Sequence, residues 1–117
     1  MSEIKNGYIE GVTLTMSDHG CLTFYLSVSG GCWGFNYGGY CLGKGYLGAD
    51  KFSGSAKGME CLMHIMDTVG VERWEDLKGK YIRVVDPGWG GTVTKIGNII
   101  DDKWFDIKEF YATDNTQ

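Results

Sequence analysis

VTLTMSDHGCLTFYLSV, residues 12–28, is the stretch from which the fold can be read. Val12, Leu14 and Met16 alternate with threonines, the period-two pattern of a strand with one buried face. Leu22, Phe24, Leu26 and Val28 repeat that pattern. Between the two runs, Ser17-Asp18-His19-Gly20 offers short polar side chains that bond their own backbone, followed by a glycine. The segment reads as a β-hairpin and sets an antiparallel frame for its neighbours.

Working C-terminally, Ser29–Gly48 holds eight of the nineteen glycines, interleaved with Trp33, Phe35, Tyr37, Tyr40 and Tyr46. A third strand through Trp33, Phe35 and Tyr37 completes a meander. Its other face carries Gly34, Asn36 and Gly38, a shallow trough open to another backbone or ring. Residues 43–51 read as a loop. Ser53 or Ser55 caps a helix that runs to Val69 and stops at Gly70. Met59, Leu62, Met63, Met66 and Val69 share one face, opposite Lys57, Glu60, His64 and Thr68. Gly58, costly in a helix, reads as a point of close packing.

Val71–Leu77 reads as a short helical segment stopped by Gly79, and Tyr81–Val85 as a fourth strand ended by Asp86-Pro87-Gly88. Thr92–Ile96 pairs with it as a fifth strand. Asp101-Asp102-Lys103 turns the chain before a last short strand at Trp104-Phe105. The expected fold is α+β: an antiparallel sheet of about five or six strands with one main helix packed on one face. The helix is expected to bury its methionine face against Val12, Leu14, Leu22, Phe24 and Leu26, so that Met63→Asp unfolds the protein. Residues 1–117 read as a single domain, with 113–117 a frayed tail.

Hydrophobic residues make up 43% and charged residues 22%, a globular balance rather than a disordered one. No apolar run approaches the ~18–20 residues that span a membrane. The polar start MSEIKNGYIE holds no secretory core, and the expected compartment is a reducing cytosol. Cys21, Cys32, Cys41 and Cys61 lack paired zinc spacing and read as small core residues. The net charge of −4 disfavours direct nucleic-acid binding.

Catalytic signatures are missing. Asp18-His19 near Cys21 reads as turn chemistry, because neighbours on a strand point to opposite faces. His64 reads as solvated on the polar face of the helix. Gly43-Lys44-Gly45 departs from a phosphate loop, with a glycine where the hydroxyl residue belongs. The expectation is therefore a non-enzymatic protein without cofactor or metal. Its candidate contacts are Tyr40, Lys44, Tyr46 and Trp89, with Arg83 as an added phosphate contact. Glu75, Asp76, Asp101 and Asp102 read either as a solvated acidic face or as an imitation of a phosphate backbone.

Ser17-Asp18-His19-Gly20, Gly38-Gly39-Tyr40, Gly58-Met59-Glu60, Val71–Gly79 and Asp102-Lys103-Trp104-Phe105, taken together, resemble small accessory proteins of tailed phages and prophages. The likeness extends from Val12 to Phe105. It implies a counter-defence context in the host cytoplasm and carries over no site residues. Three functions are consistent with these features: an inhibitor of a host defence protein such as a CRISPR effector, a sponge for a nucleotide immune signal that acts as a homo-oligomer, and an accessory to phage DNA replication. The inhibitor is the leading expectation.

Overall fold

In the computed structural model, which describes residues 3–18 and 20–113, the hairpin of residues 12–28 forms as read. β1 (Glu3–Asp18) and β2 (Cys21–Ser29) pair antiparallel, with Val12 opposite Leu26 and Leu14 opposite Phe24. The reading of His19 lies outside the described residues. β3 (Gly34–Gly38), β4 (Gly43–Lys44), β5 (Ser53–Gly54), β6 (Tyr81–Asp86), β7 (Lys95–Asn98) and β8 (Trp104–Asp106) complete one sheet. Its order is β5-β4-β2-β1-β6-β7-β8, with β3 also beside β2, and all its pairs are antiparallel.

Among the described residues the sheet has eight strands rather than five or six. β4 and β5 are two residues each, too short to show a period, and they lie in stretches read as loop and helix cap. β7 begins at Lys95 instead of Thr92, because its buried Ile96 is set opposite Val84. β1 starts well before Val12. Its first residues pair with β6, Glu3 opposite Asp86 and Tyr8 opposite Tyr81. Lys5, Gly7 and Ile9 are more buried than their neighbours there, and a lysine and a glycine on the inner face hide the alternation. A register shift between Ile9 and Gly11 bends β1 where it leaves β6.

Helix α1 (Ala56–Val69) has the boundaries its caps dictate. The Ser55 hydroxyl accepts from the Gly58 N–H at 3.0 Å, and Gly70 closes the helix in the left-handed region at φ 94°. Gly58 is a point of close packing: a Cβ there would lie 2.7 Å from the Leu42 Cα. Val71–Leu77 contains a single 3-10 turn, Trp74–Leu77, which buries Leu77 and sets the Trp74 ring edge-on to Phe24.

The rotation of α1 departs from expectation. Its buried stripe is Gly58, Cys61, Ile65 and Thr68; of the face expected to be buried, Leu62 and Val69 pack in part against the core and Met66 is half-buried, while Met59 and Met63 face solvent. The cause is a second helix, α2 (Ile107–Ala112), that follows β8 directly. α1 lies against β7, β8 and α2, which bury Thr68 and partly cover Lys57 on the side read as polar, while Glu60 and His64 stay exposed as read. His64 stacks on Phe105 at 5.2 Å, and the Lys57 ammonium sits 4.1 Å from the Phe110 ring centroid. Thr68 is buried rather than solvated, and Leu14 is half exposed rather than packed under the helix. An aspartate at Met63 therefore meets water, and the unfolding expected of Met63→Asp does not follow.

Candidate functional site

The aromatic–glycine segment divides between core and surface. Tyr37 is fully buried, and its hydroxyl donates to the Thr94 carbonyl at 2.9 Å. Burial pushes its phenol far above the ordinary range. Trp33 and Phe35 are half-buried and stack at 5.9 Å. Tyr40 is not an exposed ring: it stacks on Tyr111 at 4.5 Å with the planes nearly parallel. Lys44 and Tyr46 are exposed, Lys44 on β4 and Tyr46 in the β4–β5 loop with its ring over Gly20. Trp89 projects fully into solvent from the β6–β7 loop.

Arg83 is a clamp within the fold. Its Nε donates to the Asn98 carbonyl at 2.7 Å and its Nη2 to the Asp101 carbonyl at 2.8 Å. The guanidinium lies 4.6 Å from the Trp104 ring centroid. Among the acidic candidates, Glu75 accepts two bonds from Arg73 and shares a recess with Lys78 and Lys80. Its own N–H and then Arg73 hold its carboxyl below the usual range. Asp102 accepts from the Trp104 indole at 2.8 Å, and Lys103 pairs with Asp67 at 3.2 Å. Asp76 and Asp101 are exposed. Asn98 ties this turn to the end of α1 through the Thr68 carbonyl. Cations interleave with the carboxylates, so the surface there is mixed in sign.

A different surface stands out, one that the sequence reading assigned to loop and core. The β4–β5 loop exposes Leu47 and Phe52, and α1 exposes Met59 and Met63. A recess of about 270 Å³ runs between Leu22, Leu42, Met59 and Leu62. A second, of about 100 Å³, shares Leu22 and Gly54 with it and extends to Met16 and Phe52. The two recesses join at Leu22 and Gly54 into an apolar surface that runs from Phe52 to Met59, with Met63 one helical turn further along α1. The sequence signal of this surface is the methionine stripe, expected in the core, of which Met59 and Met63 are exposed and Met66 is half-buried. Methionines suit a docking surface because their unbranched side chains adapt to a partner.

At the other end of the sheet, a cleft of about 330 Å³ has Trp33, Phe35 and Val93 as apolar walls and Lys5, Asn36 and Asp86 as polar ones. Lys5 and Asp86 form an ion pair of 2.8 Å. Asp86 also accepts from the Gly88 N–H at the start of the loop that carries Trp89. Lys5, and then this N–H, hold the Asp86 carboxyl below the carboxylate range. Of this cleft the sequence marks the Trp33 and Phe35 rings and the trough at Gly34 and Asn36; Lys5, Asp86 and Val93 carry no such signal.

The cysteines differ from the expected core residues. Only Cys61 is buried, and burial pushes its thiol up to about 11. Cys32 and Cys41 are exposed and Cys21 is half-buried. Among the described residues no group of three or more His, Cys, Asp or Glu side chains is placed to hold a metal, and no helix is long and apolar enough to cross a membrane. Neither a protein-family model, nor a curated protein, nor a solved structure matches this chain.

Proposed function

We propose that this protein is a non-enzymatic inhibitor of the phage type, which docks on a host defence protein through the apolar face of the β4–β5 loop and α1. The observation that carries the reading is the exposure of Met59 at the recess of Leu22 and Leu42, of Phe52 at the adjoining recess, and of Met63 one turn along α1. An exposed cluster of large apolar groups is costly in water and marks a contact surface. Partner burial of such side chains supplies binding energy without chemistry on the protein's part. The resemblance to phage accessory proteins supplies the host-defence context.

The test is phage challenge of bacteria that each carry one defence system, with and without this protein expressed. Plating is expected to recover on the strain whose system is inhibited, and the cognate defence protein to co-purify at fixed stoichiometry. Met59→Asp/Met63→Asp is expected to abolish both while leaving the protein folded. Full inhibition by that variant would reject this face as the docking surface.

A second reading, a sponge for a nucleotide signal, is favoured by one observation: the cleft in which Lys5 stands 5.9 Å from the Trp33 ring. A stacked base and a paired phosphate suit such walls. A thermal-shift screen with cyclic and linear nucleotides separates the readings. A midpoint rise that Trp33→Ala removes favours the sponge.

A further inference from the structure

Cys21 opens β2 and Cys41 sits in the link between β3 and β4, twenty residues away. The Cys41 sulfur lies 2.7 Å from the Cys21 sulfur and 3.2 Å from the Gly43 carbonyl oxygen. The backbone, not chance rotamers, brings them together. On either side of Cys41 the link is laced to β2: the Leu42 N–H donates to the Leu22 carbonyl at 2.7 Å, the Gly39 N–H to the Phe24 carbonyl at 2.8 Å, and the Thr23 hydroxyl to the Tyr40 carbonyl at 2.7 Å. Disulfide sulfurs bond at about 2.05 Å, so closure needs a small approach and no rearrangement of the strands. Cys61 is sealed in the core, and Cys32 lies beyond β2 in the turn to β3.

We propose that Cys21 and Cys41 are a redox-active dithiol that is oxidised to an intramolecular disulfide by a small disulfide of the glutathione class. The exposed Cys41, as thiolate, attacks one sulfur of the small disulfide. That S–S bond breaks and a thiolate leaves. The Cys21 thiolate then attacks the Cys41 sulfur, the mixed disulfide breaks, and a second small thiolate leaves. Two electrons pass from the protein to the small disulfide, and the two thiol protons end on the two released thiols.

The crosslink closes a loop of about twenty residues and so restricts the unfolded chain. It also fixes Leu22 and Leu42, each adjacent to one cysteine and both lining the recess beside Met59. Oxidation thus stiffens one wall of the apolar face, whatever that face binds.

The full-length protein is equilibrated in buffers of graded reduced-to-oxidised glutathione ratio, trapped with iodoacetamide and mapped by mass spectrometry. The expected result is a Cys21–Cys41 peptide, a chain lighter by two hydrogens, and a melting midpoint higher by roughly 10 °C than in the reduced form. Cys41→Ser and Cys21→Ala each lose the linkage and the shift, while Cys32→Ser keeps both. Full alkylation of Cys21 and Cys41 in oxidised glutathione alone overturns the proposal, as does a linkage that runs through Cys32. The mapping of the unmutated chain decides the matter even if a variant fails to fold.

Discussion

Met63 and Ile65 are two residues apart on α1, yet Ile65 is fully excluded from water while Met63 keeps 66% of its surface exposed. The helix thus separates two apolar regions of similar chemistry. On one side Cys61 and Ile65 close over Phe24, Leu26 and Ile96 in a core sealed by β8 and α2. On the other, Met59 lines the recess with Leu22, and it and Met63 stay largely exposed among the described residues. Hydrophobicity alone does not tell the two apart. What assigns them is the position of α2, a six-residue helix that covers the flank of α1 away from Met59.

The comparison breaks most visibly at Ile65. Ile65→Ala removes buried methyl groups from a sealed site and is expected to cost about 3 kcal/mol in urea denaturation. A loss under ~1 kcal/mol would mean that the sealed side is not tightly packed. Gly58→Ala sharpens the contrast in sign. In an open helix the change stabilises by about 1 kcal/mol. Here the new Cβ meets the Leu42 backbone at 2.7 Å, and the expected result is a loss of about 1–3 kcal/mol. A gain on thermal melting would show that α1 stands off from Leu42.

Tyr111 probes the seal from α2. Its buried hydroxyl has the Cys61 thiol beside it and no well-placed hydrogen-bond partner among the described residues, and burial followed by Cys61 pushes its phenol up. Tyr111→Phe keeps the stack on Tyr40 and removes a buried hydroxyl whose one neighbour able to bond it, the Cys61 thiol, is a weak partner. Its stability is expected to be unchanged or to rise by up to ~1 kcal/mol. A loss larger than that would mean the hydroxyl is satisfied in solution.

The legible parts of the fold were those with local signals. The period of two in residues 12–28, the Ser55 cap and the Gly70 stop each place an element by chemistry contained within it. The rotation of α1 was not of that kind, since its methionine stripe is equally consistent with core and with surface until α2 is known. One signal for α2 was present: Asp106 followed three residues later by Glu109, a capping pattern, and Asp106 does accept from the Lys108 and Glu109 N–H groups. The start of β1 was hidden because Lys5 and Gly7 occupy inward positions. Of the site residues, Tyr46 and Trp89 read correctly as exposed, since glycine-rich turns give large rings no route inward. Tyr40 and Arg83 did not, because Tyr111, Asn98 and Asp101 meet them only through tertiary contacts.

The central claim is that the methionine face belongs to a partner and not to the fold. Urea denaturation of Met59→Asp/Met63→Asp beside the unmutated protein tests it most directly. Both side chains are exposed, so two carboxylates there remain hydrated and nothing packed is lost. The predicted result is a stability no more than about 2 kcal/mol below the parent, the cost of two aspartates in a helix and of their like-charge i,i+4 pairs with each other and with Asp67, with an unchanged denaturant slope. A loss of several kcal/mol, the size expected for charges forced into a core, would contradict the account and return the methionine stripe to the interior.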